Sequence, residues 1–308
     1  MLKYLLKKLL ILAASLWVVV TLTFTLIHSI PGDPFSDEDA VPEEIIRSLN
    51  RYYGLDKPLW DQYIIYLNNL IHGDLGCSFK YVGRSASSII SDGFPISLML
   101  GLEALLLAIA LGLTLGSLAA LKRGRWEDQL TMMAAVFGIS VPSFILATLL
   151  QYVFAMQLDW LPVARWGSFA QTILPALSLA ALPTAIIARL TRSSMVEVLQ
   201  QDYILTARAK GLSTFQIIVR HALRNTLLPV ISFLGPLTAN VLTGSFVVEK
   251  IFGIPGLGQW FVLSVSNRDY SLIMALTIFY SAFLMLSVFI VDILYSILDP
   301  RIRTGVHE

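Results

Sequence analysis

The sequence predicts an all-α, polytopic membrane protein with six transmembrane helices and both termini cytoplasmic. Three observations carry that fold class. Of the 308 residues, 56% are hydrophobic and 14% charged, whereas a soluble domain carries roughly a quarter charged residues. Six runs free of Asp, Glu, Lys and Arg occupy residues 9–32, 104–121, 129–158, 166–188, 225–248 and 270–291, and about 20 helical residues cross a bilayer core. The charges also divide by side. With the N-terminus inside, 14 basic and 13 acidic residues fall on opposite sides, inner and outer respectively, so the net charge of +1 hides an oriented chain.

The runs are continuously apolar rather than alternating, which selects helices over barrel strands. The first follows Lys3, Lys7 and Lys8 and exceeds the length of a signal-peptide core, so it reads as a retained anchor. The outer segment 31–94 carries its own helix punctuation. Pro42 with Glu43 and Glu44 opens one helix that Gly54 stops, and Pro58 opens another that ends near Gly73. Trp60, Tyr63, Ile64, Leu67 and Ile71 recur at helical spacing and predict a buried face, either a cap on the span ends or a docking surface for an extracytoplasmic partner.

Within the spans, Glu103 is an ionisable group in apolar surroundings, open to a substrate-contact or a hydrated structural reading. Asp292 reads as a polar interface residue. Pro142, Pro175, Pro183, Pro229 and Pro236 are kinks or span ends. Gly235, Asn240, Thr243, Gly244 and Ser245 give span 5 a small, polar face suited to close packing or to lining a pathway.

The most informative segment joins spans 4 and 5. Asp202 to Ala209 are good helix formers, Gly211 suits the residue after a helix end, and Ser213 with Gln216 is a capping-box pair for a second short helix. In that second helix Phe215, Ile218, Val219 and Ala222 share a face, which fits an interfacial helix or one presented to a cytoplasmic protein.

Several classes are excluded by what the chain lacks. There is no basic excess for nucleic acid, the single Cys77 forms neither an internal disulfide nor a cysteine metal cluster, and the four histidines lack ligand spacing. No Gly-x-x-x-x-Gly-Lys-Ser/Thr motif is present, so this chain has no nucleotide site of that type.

Thr206-Ala207-Arg208-Ala209-Lys210-Gly211 followed by His221-Ala222-Leu223-Arg224-Asn225 resembles the coupling loop of binding-protein-dependent ABC permeases in the dipeptide and oligopeptide branch. The resemblance extends along the chain through Pro31-Gly32-Asp33-Pro34, Gly54-Leu55-Asp56-Lys57-Pro58, Gly73-Asp74-Leu75-Gly76, Pro142-Ser143-Phe144, residues 249–258, Arg268-Asp269-Tyr270 and Asp299-Pro300-Arg301. Ser78-Phe79-Lys80-Tyr81 looks most like the oligopeptide members.

That resemblance implies a type I ABC importer permease with a MetI-like core in the bacterial cytoplasmic (inner) membrane. It divides the chain into an arm and first helix (1–30), an extracytoplasmic helical loop (31–94), a permease core (95–298) with its coupling loop at 191–225, and a cytoplasmic tail (299–308). The implied partners are a second homologous permease, two cytoplasmic ATPase subunits and an extracytoplasmic peptide-binding protein. ATP and Mg²⁺ would sit on the ATPases, with no cofactor in this chain. The coupling residues would be Leu205, Thr206, Ala207, Arg208, Ala209, Lys210, Gly211 and His221. Glu103, Asn240, Thr243 and Ser245 are the candidates for a cavity or pathway. Oligopeptide import is the leading expectation, with a dipeptide, glutathione or nickel importer of the same branch as the alternative. A stand-alone secondary transporter fits poorly with so few intramembrane charges, and an intramembrane hydrolase would need Ser245 activated by a base such as His28.

Overall fold

The computed structural model describes residues 2–30, 48, 50–52, 54–81, 83–243 and 245–298. The expected helix at Pro42 to Glu44, the Pro31 to Pro34 and Asp299 to Arg301 motifs, Gly244, the tail, and the side chains of Asn240, Thr243, Ser245 and Asp292 lie outside the described residues.

The elements in chain order are α1 (Leu2–Ser29), α2 (Leu59–Ile71), α3 (Ala86–Leu121), α4 (Trp126–Ser140), α5 (Ser143–Leu150), α6 (Phe169–Val198), α7 (Asp202–Ala209), α8 (Thr214–Ile217), α9 (Leu223–Thr243), α10 (Ser245–Phe252), α11 (Leu257–Ser266) and α12 (Tyr270–Leu298). π-Helical turns continue α5 over Gln151–Gln157 and join α8 to α9 over Ile218–Ala222. Among the described residues the only extended pairing is the isolated bridge between Cys77 and Ser85.

Five stretches are long and apolar enough to cross a membrane: Leu6–Ser29, Ala86–Leu121, Phe169–Val198, Thr214–Thr238 and Tyr270–Val291. Two bent pairs bring the number to as many as seven, which brackets the six expected. One pair replaces the expected third span. Trp126–Ser140 and Ser143–Gln157 meet at 107° because Val141, preceding Pro142, is held in an extended conformation (ψ 119°) where a helix cannot continue. Pro175 and Pro183 stay inside continuous α6, and Pro229 and Pro236 inside α9. The second pair, Phe246–Phe252 with Leu257–Ser266, starts within the last residues of the expected fifth span and breaks at 253–256. The second expected span also begins earlier than its charge-free run, since α3 starts at Ala86 and carries Glu103 within it.

The chain forms two compact units. One comprises residues 1–94 and 259–283. Its core joins Phe24 and Ile27 of α1 to Tyr63 of α2 and to Tyr270 and Met274 of α12. Phe24 and Tyr63 meet edge to face at 5.2 Å, and the Tyr63 hydroxyl hydrogen-bonds Thr21 Oγ1 at 2.7 Å. The helix after Pro58 is present, and Gly54 and Gly73 stand at the stops expected of them, but its buried face differs from the expected one. Tyr63 is buried, and Tyr66 and Leu67 pack beside it, whereas Trp60, Ile64 and Ile71 are exposed. A 13-residue helix lying against α1 touches it along one narrow stripe, so the remaining apolar residues stay uncovered.

In the same unit the buried Asp269 carboxylate accepts from Ser78 Oγ, from the Phe79 N–H at 3.1 Å and from the Leu272 N–H at 3.2 Å. One side chain thus caps α12 and fastens the loop before α3.

The other unit comprises residues 95–258 and 284–308, and α6 is its hub, packed on α4, α5 and α9. Gly112 and Gly116, four apart on α3, let that helix approach closely. A Cβ at Gly112 would lie 2.6 Å from the Ile187 side chain, and one at Gly116 would lie 2.5 Å from the Ala188 carbonyl.

Candidate functional site

The segment 202–225 folds as a tight corner whose chemistry is local. The Gly211 N–H donates to the Arg208 carbonyl at 2.9 Å and the Leu212 N–H reaches the Ala207 carbonyl at 3.3 Å. These paired bonds are the Schellman ending of α7, with Gly211 at φ +76°, a left-handed conformation that glycine adopts at little cost. Two residues later the Ser213 side chain accepts from the Gln216 N–H at 3.3 Å, and Gln216 Oε1 accepts from the Ser213 N–H at 3.0 Å. That reciprocal box starts α8.

The corner is anchored by an apolar cluster. Ile204 and Ala207 of α7, Ile217 of α8 and Ala222 of the π-turn pack with Met195 and Val198 of α6 and Ala120 of α3. Asn225 Nδ2 donates to the Tyr203 hydroxyl at 2.8 Å and ties α7 to the start of α9. Burying an aliphatic side chain contributes about 1.5–3 kcal/mol, so Ile204 and Ile217, 0% and 4% exposed, hold the corner firmly.

The expected coupling residues divide accordingly. Leu205, Thr206, Arg208, Ala209, Lys210 and Gly211 are exposed, His221 is half-buried, and Ala207 is buried and belongs to the anchor. The face expected for the second helix is corrected. Phe215 and Val219 are 74% and 49% exposed, while Ile217 and Ala222 are buried. The reason is the π-turn after Ile217, whose wider winding makes residues five apart share a face. Phe215, Val219 and Leu205 therefore form an exposed apolar set beside the exposed cations Arg208, Lys210, Arg220 and Arg224.

Glu103 is half-buried in α3, and the backbones of Asn240, Thr243 and Ser245 are helical in α9 and α10. His28 is committed elsewhere than to a serine: Nδ1 lies 2.8 Å from the Phe24 carbonyl and Nε2 lies 3.1 Å from Gln62 Oε1. An apolar cavity of about 110 Å³ sits behind the α4–α5 bend, between Pro142 and Leu179.

Two polar anchors escaped the sequence reading. Asp128 of α4 pairs with Arg192 of α6 through Nε at 2.5 Å and Nη2 at 2.7 Å, and also accepts from the Gly124 N–H at 3.0 Å. Glu249, fully buried, accepts from the Gly258 N–H at 2.8 Å at the start of α11. Their only sequence signal was an acid at the edge of an apolar run.

Comparison with known proteins places this geometry. The family described as the binding-protein-dependent transport system inner membrane component matches residues 112–304, and the N-terminal region of such membrane components matches residues 1–101. The chain belongs to this family. The permease is 52% identical over 303 residues to the dipeptide transport system permease protein DppB of Bacillus subtilis (strain 168), covering 98% of each chain. It is 45% identical over 305 residues to the oligopeptide transport system permease protein OppB of Haemophilus influenzae, covering 98% of this chain and all of that one. Among solved structures, an inward-facing MetNI methionine ABC transporter gives a TM-score of 0.56 at 16% identity, over 69% of this permease and 97% of that chain. At that identity the likeness shows a shared fold. The permease is thus a multi-pass inner-membrane protein, as its apolar helices and its family agree.

Proposed function

We propose that this permease is the membrane subunit of an ATP-driven importer that carries peptides across the cytoplasmic membrane by alternating access. In this reading it pairs with a second, similar permease. Two separate ATPase subunits hold ATP and Mg²⁺ on the cytoplasmic side, and a binding protein delivers the peptide from outside. Near-full-length similarity to dipeptide and oligopeptide permeases supports peptides as the substrate class. The choice between short and longer peptides falls to the binding protein.

The observation that carries the coupling role is the corner at Gly211. It is locked to α3 and α6 by buried Ile204, Ala207 and Ile217 while it presents Leu205, Phe215 and Val219 among cations. A close-packed corner transmits displacement to the helices it is packed on rather than absorbing it. An ATPase groove with an apolar floor and an acidic rim would complement that surface. A Cβ on Gly211 would meet nothing within 4 Å, so the space beside it is open to a partner. On the other side, the uncovered Trp60, Ile64 and Ile71 of α2 offer a surface to the binding protein.

The test uses the assembled complex in proteoliposomes. Gly211→Val, strained at φ +76° and bulky in the open space, is expected to lower peptide uptake at least tenfold and uncouple ATP hydrolysis from it. Gly211→Asn, tolerated in the left-handed region, is expected to retain both. Intact uptake and intact ATPase stimulation in Gly211→Val would remove the coupling role. Identification of the ligand on the copurified binding protein tests the substrate class: a peptide supports it and a metal complex overturns it.

A further inference from the structure

Helix α4 is held by one neighbour. Among the described residues it packs on α6 and on no other helix to a comparable extent, and its far face leaves Leu130, Met133 and Phe137 exposed. The contact between the two helices is smooth. A Cβ on Gly138 of α4 would lie 3.2 Å from the Ala181 carbonyl and 3.3 Å from the Ala185 Cβ of α6, and buried Ala135 stands one turn before it. Small residues permit close approach without interlocking, so this surface alone fixes neither the rotation nor the slide of α4 on α6.

The directional contact is the Asp128–Arg192 pair. Its two bonds, from Nε and Nη2 to separate carboxylate oxygens, set distance and orientation together. The same carboxylate accepts from the Gly124 N–H, so it also holds the turn that leads from α3 into α4. On α6 the arginine stands one turn before Met195. Met195 and Val198 belong to the cluster that anchors the Gly211 corner, as does Ala120 at the end of α3. Among the described residues α4 contributes nothing to that cluster.

We propose that the Asp128–Arg192 pair is the coupling link of α4, making that helix follow the Gly211 corner when the corner is displaced. In an ATP-driven importer, the reading on which this rests, a displaced corner moves the ends of α3 and α6 directly through close packing. The pair delivers the same displacement to α4, which carries it to the bend at Pro142. Asp128 and Arg192 are positioning residues in this scheme, set apart from the exposed apolar surface of Leu205, Phe215 and Val219.

Two measurements test the link, both made well below the melting temperature. The first is the number of ATP molecules hydrolysed per peptide taken up, in proteoliposomes holding the assembled complex. Asp128→Leu with Arg192→Met restores packing but not direction, and is expected to raise that ratio at least fivefold. Arg192→Lys keeps the charge and a single bond, and is expected to raise it less. A pair that only stabilises the fold would leave the ratio unchanged in the complexes that survive. The second is the distance between spin labels on Met133→Cys of α4 and Ser193→Cys of α6, both exposed positions, in a Cys77→Ser background. With the ion pair intact the distance is expected to stay constant between nucleotide-free and ATP-bound complexes, and in the double variant to change with nucleotide. An unaltered ratio in the double variant, or a distance that changes with nucleotide while the pair is intact, would overturn the link and leave the importer reading standing. A complex with the pair intact that hydrolyses ATP and takes up no peptide would instead remove the importer reading, and the link with it.

Discussion

Asp128 and Arg192 stand 64 residues apart and form the best-defined ion pair of the second unit, with the acid side chain 5% and the arginine 29% exposed. Removing one partner of such a pair leaves the other charge without its counter-ion, at a cost of about 3–5 kcal/mol. Arg192→Ala is therefore expected to lower the melting temperature sharply, whereas Asp128→Leu combined with Arg192→Met should recover much of the loss. Thermal unfolding of the detergent-purified protein measures both. Equal losses in the single and double variants would show that the pair is not coupled. In the sequence these two residues read as ordinary charges flanking apolar runs, because nothing local announces a partner 64 positions away. Gly211 and the Ser213–Gln216 box were legible for the opposite reason: their bonds close within a few residues, so backbone chemistry alone specifies them. Glu249 was hidden like Asp128, since its burial depends on the chain turning back to bring the Gly258 N–H to it.

Helices show the same divide between local and long-range information. The existence of α1, α3, α6, α9 and α12 follows from apolar runs long enough to span, whereas the break at Pro142 was offered only as one of five proline alternatives. The 30-residue length of the run 129–158, well beyond the roughly 20 that cross a bilayer, was the unused sign that one straight helix would not fit. Helical periodicity failed in the segment after Ile217 because the π-turn there changes the spacing on which that count rests. Contact between α3 and α6 gives a firm prediction. Gly116→Leu would drive its side chain into the Ala188 carbonyl and Thr191, so the α3–α6 crossing cannot form as it stands. Loss of the monodisperse species on size-exclusion chromatography is expected, while Gly235→Ala, whose helical Cβ would come no closer than 3.4 Å to the Val291 side chain, should retain it. Ser213→Ala removes one side of the capping box and is expected to cost about 1 kcal/mol. Its first effect should be faster amide exchange across α8, measured by mass spectrometry.

At the scale of the whole chain, the separation of charge by side predicts orientation. Cys77 should react with a membrane-impermeant maleimide in cells whose outer barrier is opened but whose inner membrane is intact. Reaction only after the inner membrane is lysed would invert the topology. That orientation puts the Gly211 corner on the cytoplasmic side, where the ATPases act in the proposed mechanism. The most exposed apolar residue of the corner is Phe215, at 74%, so its replacement alters the proposed partner surface rather than the fold. Phe215→Asp in the assembled complex is expected to leave the melting temperature unchanged and to lower binding-protein-dependent peptide uptake in proteoliposomes at least tenfold. Uptake and ATP hydrolysis both at the wild-type level in that variant would contradict the assignment of this corner as the coupling element.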